Sequence, residues 1–137
     1  MALLEKSLYL KKSTLPGAGL GVFAREDIGR GKRIVEYKGR LQLWNEVKHE
    51  DGYNAYLFRL NRRYALNAIT YKKSYARYVN DARGFSRIKG LRNNCEYVVE
   101  GNRCYIHSIR KIKKGEELLV PYGKAYWKLM ERISRGG

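Results

Sequence analysis

Gly115-Glu116-Glu117-Leu118-Leu119-Val120-Pro121-Tyr122-Gly123 closes the last strand-like run of the chain on a proline kink. Glu117 to Val120 reads as a strand, a short apolar run bounded by a glycine turn and by Pro121. Pro121 has no N–H to give to a ladder, so the run stops there and Tyr122 is held where the chain turns away. The stretch has an echo near the other end of the chain. Ile112-x-x-Gly115-x-x-Leu118-Leu119 repeats Ile28-x-x-Gly31-x-x-Ile34-Val35: an apolar anchor, a basic turn closed by glycine, then a strand. Two copies are too few for a solenoid. They predict two similar hairpin units packed against each other.

Working outward, short strands recur at Ser7–Leu10, Gly21–Ala24, Arg33–Tyr37, Tyr56–Leu60, Tyr64–Asn67, Tyr97–Glu100 and Arg103–Ser108. Each is rich in β-branched or aromatic residues and bounded by Gly, Asn, Asp or charged turns. Asn61-Arg62-Arg63 reads as a hairpin loop and Gly101-Asn102 as a two-residue hairpin turn. Helix signals are few. Trp44 to Tyr53 is polar and suits a short exposed helix or a loop. Tyr126, Leu129, Met130 and Ile133 fall at i, i+3, i+4, i+7, the stripe of a C-terminal helix. The expected class is mostly β, in small sheets with long connections.

The 137 residues suit one domain, 44% hydrophobic and 31% charged. We expect a single domain over 1–137, with its core at about 8–127 and a C-terminal helix or tail at about 124–137. No apolar run approaches the roughly 18 residues of a membrane helix, and the N-terminus lacks the pattern of a signal peptide. An intracellular setting, cytoplasmic or nuclear/nucleoid-associated, is therefore expected, without membrane contact. Cys95 and Cys104 have no C-x-x-C spacing, and His49 and His107 are isolated. No metal site is expected, and the cysteines read as reduced, mostly buried thiols. The net charge of +16, from 29 Lys+Arg against 13 Asp+Glu, favours acidic partners or nucleic acid. Four basic residues, Arg83, Arg87, Lys89 and Arg92, mark one segment as a contact loop for such a partner.

Two further motifs precede the closing one. In Lys12-Ser13-Thr14-Leu15-Pro16-Gly17-Ala18-Gly19-Leu20-Gly21-Val22-Phe23-Ala24, three glycines let the backbone turn sharply and approach a ligand. A strand follows them rather than a helix, which excludes the dinucleotide fingerprint. Ala76-Arg77-Tyr78-Val79-Asn80-Asp81-Ala82 is the other. In this order, the three resemble the SET-domain family of protein lysine methyltransferases from about Leu8 to Trp127. Lys12–Ala24 is similar to the family's opening G-x-G segment, and Ile28–Gly39 to its I-x-x-G-x-x-I-x-E-Y-x-G stretch. Arg77–Asp81 is similar to R-F-x-N-H-S, Asn94-Cys95-x-Tyr97 to N-C-x-Y, and Glu116–Gly123 to its G-E-E-L-x-x-x-Y-G end. The resemblance implies a SET fold of small β-sheets, a knot-like crossing of the last two motifs and a short C-terminal helix.

It also implies a reaction: S-adenosylmethionine gives a methyl group to the side-chain amine of a lysine on a protein or peptide, leaving S-adenosylhomocysteine. The substrate would be a histone or another nucleic-acid-associated protein. Carried over by residue, Gly19, Leu20 and Gly21 would offer main-chain groups to the cofactor, Arg77 and Tyr78 would flank it, and Asn80 would bind its amino group. Asp81, Tyr122 and Trp127 complete the expected cofactor side. Tyr122 would be the catalytic tyrosine beside the methyl and the lysine nitrogen, and Tyr37 and Tyr97 would line the lysine channel. The chain departs from the pattern at Asp81 in place of histidine, Ala82 in place of serine and Asn67 in place of aspartate. The link from Ala82 to Asn94 is also longer than the family's. The alternative is a SET-like module without turnover, binding nucleic acid or protein through its basic surface. Methyl transfer to lysine needs a neutral amine, whose ordinary pKa is about 10.4. A narrow dry channel supplies that by desolvation, and in-line placement does much of the rest. A chain with 12 tyrosines suits that task.

Overall fold

The computed structural model describes residues 3–50, 54–82 and 89–122. Among the described residues, three small antiparallel sheets make the framework. Strand β1 (Leu8–Lys12) pairs with β2 (Leu20–Ala24), in register from Leu8 opposite Ala24 to Lys12 opposite Leu20. In the second sheet, β8 (Arg103–Ser108) lies between β3 (Arg33–Glu36) and β7 (Cys95–Glu100). In the third, β6 (Tyr64–Asn67) lies between β4 (Arg40–Leu43) and β5 (Leu57–Arg59). The β7–β8 hairpin turns at Gly101-Asn102, with Gly101 at φ 59°, a conformation that favours glycine.

Most expected strands form, with shifted ends. The first runs Leu8–Lys12 because Ser7 belongs to a 3-10 turn over Glu5–Ser7. Strand β4 escaped the sequence reading: Arg-Leu-Gln-Leu has no β-branched or aromatic residue, and Leu41 and Leu43 stay exposed. The helix over Trp44–Val47, α1, and a 3-10 turn over Lys48–Glu50 lie in the polar stretch expected to hold a short helix or a loop; its residues 51–53 lie outside the described residues. The expected C-terminal helix lies outside the described residues, as do Tyr126 and Trp127.

The repeated motif is a pair of facing units. Ile28 and Ile112 form an antiparallel bridge in which each N–H donates to the other's carbonyl at 2.8 Å. Both side chains are buried, and Gly31 (φ 75°) and Gly115 (φ 88°) close equivalent turns. Around this bridge, Leu8, Val22, Ile34, Val35, Ile106 and Leu118 form the main core.

Glu117–Val120, expected as a strand, is instead threaded between unlike neighbours. On one side Leu118 N–H donates to Val22 O and Ala24 N–H to Glu116 O, antiparallel to β2. On the other, Val120 N–H donates to Asn80 O, a parallel bridge, while Asn94 N–H and Cys95 N–H both donate to Leu119 O at 3.0 Å. Asn94 locks the crossing. Its buried amide donates to Glu117 O at 2.9 Å and accepts from Leu119 N–H at 2.8 Å. With every side occupied, Leu118, Leu119 and Val120 are all buried, and no alternation of polar and apolar residues arises.

Candidate active site

The threaded segment delivers Tyr122 to the wall of a narrow cavity of about 60 Å³. Tyr37, Phe58, Arg77, Tyr97 and Tyr122 are among the residues that line it. Phe58 and Tyr97 pack with ring centroids 4.7 Å apart, and Tyr37 meets Phe58 at 5.6 Å and Tyr97 at 6.1 Å. The fold thus brings together Tyr37, Tyr97 and Tyr122, which the family resemblance groups. Phe58 joins them from β5. Its signal was an aromatic residue in a middle strand, which gave no hint of the side it would face.

The tyrosine hydroxyls are oriented. Tyr122 donates to Val79 O at 2.5 Å, and Tyr37 donates to Tyr56 O at 2.8 Å. A phenol whose proton is committed to a carbonyl presents its oxygen to other neighbours as an acceptor. Burial first, and then the neighbouring Tyr122 and Tyr37 hydroxyls, push the Tyr97 phenol well above its ordinary range. Tyr97 therefore stays neutral at physiological pH.

Arg77 enters the cavity wall. Its Nη1 donates to Ala68 O and Ile69 O, each at 2.8 Å, and its guanidinium lies 3.8 Å from the centre of the Tyr56 ring. Tyr78 turns its hydroxyl to Lys72 O at 2.7 Å. Asp81 is 2% exposed; its carboxylate accepts from Tyr122 N–H at 2.8 Å and Asn93 Nδ2 at 3.0 Å.

The glycine loop sits across the crossing. Gly17 and Gly19 adopt φ 77° and 73°, and added Cβ atoms there would meet open space. Leu20 is exposed. Asn80 donates through Nδ2 to Leu20 O at 3.1 Å and Glu117 Oε2 at 3.3 Å, leaving Oδ1 as an acceptor that no described residue uses. Gly21 is different. A Cβ there would overlap Glu117 Oε2 and stand 2.9 Å from its Cδ. The space over Gly21 is filled by the chain's own carboxylate, which also accepts from Ser13 Oγ (2.7 Å), Thr14 N (3.0 Å) and Thr14 Oγ1 (2.6 Å). Glu117 was not singled out from the sequence, where it is one of two adjacent glutamates.

Among the described residues no three His, Cys, Asp or Glu side chains converge as metal ligands. No described helix is long and apolar enough to cross a membrane. Lys89 and Arg92 are exposed; Arg83 and Arg87 lie outside the described residues. Cys95 and Cys104 are free and fully buried, and burial pushes both thiols up to about 12. A folded pKa above the unfolded value, about 8.5 for a thiol, means the folded state holds its proton more tightly. That stabilisation is complete below about pH 8.5 and is lost as pH rises towards the folded value. Thermal stability should therefore decline from about pH 8.5 upward, and a thiol reagent at neutral pH should label neither cysteine before unfolding. Rapid labelling of both in the folded chain would overturn the burial account.

Small antiparallel sheets, a threaded crossing and a tyrosine delivered by it to an aromatic slot define the SET class of domains. The chain belongs to the SET-domain family, whose sequence profile matches residues 19–123. Over 96% of its length it is 32% identical to the histone-lysine N-methyltransferase EZH2 of Chaetomium thermophilum, of which it spans 9%. It is 30% identical over 85% of its length to the Caenorhabditis elegans histone-lysine N-methyltransferase set-17, of which it spans 41%. Chaetomium thermophilum PRC2 in an autoinhibited conformation bound to S-adenosylmethionine matches 98% of this chain and 17% of that one. The TM-score is 0.69 at 28% identity. The chain thus spans less than half the length of these relatives.

Proposed function

We propose that this domain transfers a methyl group from S-adenosylmethionine to the side-chain amine of a lysine in a protein, a histone or another nucleic-acid-associated protein. The observation that carries the reading is the narrow slot at which Tyr37 and Tyr122 both have their protons committed to backbone carbonyls. Two acceptor oxygens at a narrow aromatic slot suit a neutral lysine nitrogen, whose N–H groups they orient, and a polarised methyl. The aromatic walls penalise the charged ammonium and favour the amine that attacks. Tyr37 and Tyr97 would line the lysine channel, with Tyr122 at the reacting end.

The glycine loop fits the cofactor's amino-acid part. Asn80 Oδ1 suits an amino group, and the open faces of Gly17 and Gly19 admit close backbone approach. When bound, S-adenosylmethionine supplies an activated methyl on a sulfonium. Gly19, Leu20, Gly21, Asn80, Asp81 and Tyr122 would surround it, flanked by Arg77, Tyr78 and Trp127. An intracellular setting, cytoplasmic or nuclear/nucleoid-associated, goes with this reading, and the histone-lysine N-methyltransferases that the chain resembles support its nuclear form.

The test is incubation with radiolabelled cofactor and a panel of basic proteins, beside calorimetry with S-adenosylhomocysteine. Label should appear on lysine, and the product should raise the Tm by linkage. A folded chain that binds neither cofactor nor product, and labels nothing, sinks the reading. Salt-sensitive DNA binding by such a chain would favour the non-enzymatic module instead.

A further inference from the structure

The position where the family carries histidine holds Asp81, and its side chain acts on Tyr122. Tyr122 is gripped at two points by one short segment: its hydroxyl donates to Val79 O at 2.5 Å, and its backbone N–H donates to Asp81 Oδ2 at 2.8 Å. The second grip is fixed in turn. Asn93 Nδ2 donates to Asp81 Oδ1 at 3.0 Å, while Asn93 Oδ1 accepts from Ala82 N–H at 2.9 Å. Asn93 is itself tied down, since Arg110 donates to its carbonyl. Asp81 is 2% exposed, so water does not compete for these bonds.

We infer that Asp81, oriented by Asn93, is a positioning residue that sets the place of Tyr122 at the slot. The inference rests on the methyltransferase reading for its kinetic consequence but not for its geometry. Tyr122 follows Pro121, which has no N–H, so the amide of Tyr122 is the first donor beyond the kink. Anchoring it fixes where the ring leaves the backbone. The hydroxyl bond to Val79 then fixes where the ring ends. A displacement of about an ångström at a reacting group costs on the order of a hundredfold in rate, so losing one anchor should be visible in turnover.

The donor pattern permits a specific test. Asp81→Asn places an NH2 group toward either Tyr122 N–H or Asn93 Nδ2, donor against donor. Turning Asn93 over relieves that contact only by facing its NH2 to Ala82 N–H. Combining Asp81→Asn with Asn93→Asp keeps all three bonds and reverses the direction of one. The new amide at position 81 donates to the new carboxylate at position 93, and the N–H groups of Tyr122 and Ala82 each keep an acceptor.

The measurements are kcat and KM on a lysine peptide, and the Tyr122 amide proton shift by NMR in the same proteins. Asp81→Asn should move the Tyr122 amide shift and lower kcat by about tenfold or more, with KM for the peptide nearly unchanged. The exchange variant should recover both the shift and most of kcat. An unmoved Tyr122 amide shift in folded Asp81→Asn overturns the clamp. So does an exchange variant no better than the single one. If Asp81→Asn does not fold, the exchange variant still decides: native folding with a native Tyr122 shift supports the clamp, and failure to fold overturns it. A wild-type chain that transfers no methyl group, yet follows the predicted amide shifts, sinks the methyltransferase reading and leaves the clamp standing.

Discussion

Replacing Tyr122 by phenylalanine should lower methyl transfer by on the order of a hundredfold or more while the fold survives. The ring keeps its packing at the slot, and only the oxygen is lost. The hydroxyl donates to Val79 O, so its removal deprives one carbonyl of a donor, worth about 1 kcal/mol of stability. The catalytic cost is larger because, on the proposed mechanism, the same oxygen orients the lysine nitrogen, and no mobile water can replace it with equal placement. Tyr37 is the informative comparison. Its hydroxyl is likewise committed to a backbone carbonyl, Tyr56 O, and its ring packs edge-on against Tyr97. Tyr37→Phe and Tyr97→Phe should change how many methyl groups are added rather than abolish transfer, since both shape the channel wall. Single-turnover measurements and mass spectrometry of the product separate the three. A folded Tyr122→Phe protein with near-native transfer removes Tyr122 from the mechanism and weakens the enzyme reading with it.

Much of this architecture was legible in the sequence because local signals and distant pairing agree. The Ile-x-x-Gly echo located two turns that the fold sets face to face, and the reciprocal Ile28–Ile112 bridge is its structural meaning. The grouping of Tyr37, Tyr97 and Tyr122 also came from the sequence, through family resemblance rather than periodicity, and the fold lines one cavity with all three. Strand β4 was not legible. Its pairing with β6 is a tertiary fact, and its leucines stay exposed, so burial left no mark on the pattern. The run Glu117–Val120 is extended, as a strand is, but it makes isolated bridges to β2 on one side and to Asn80 on the other instead of joining one ladder. A segment covered on all sides buries every residue, and the run Leu118-Leu119-Val120 cannot tell a threaded crossing from a central strand. Asp81 was equally opaque. Its carboxylate meets an amide 41 residues away, and nothing near it in the chain announces that bond.

Replacing Gly21 by valine should cost the fold first and the cofactor second. From the sequence, the glycine leaves room for a ligand. In the structure, that room belongs to Glu117, whose Oε2 the new Cβ would overlap and whose Cδ would stand 2.9 Å from it. Glutamate is flexible in general, but this one is 6% exposed and accepts from Ser13, Thr14 and Asn80. Moving it strands the buried Ser13 hydroxyl and loosens the partly exposed Thr14 and Asn80, a loss of about 1–3 kcal/mol. The Tm should fall by several degrees. Glu117→Ala removes the same carboxylate directly and should lose a similar amount. The decisive measurement is the double variant. If Gly21→Val acts by expelling Glu117, valine finds space once the carboxylate is gone, and the two losses fall well short of adding. Strictly additive losses would mean that the glycine and the glutamate stabilise the chain independently. A Gly21→Val protein with native Tm and lost cofactor binding would instead mean that the glycine acts through its contact with the cofactor and not through Glu117. The expected outcome places Glu117 as the strut between the threaded segment and the glycine loop. One buried carboxylate then sets the shape of the loop on which cofactor contact depends, and it does so from the same segment that delivers Tyr122.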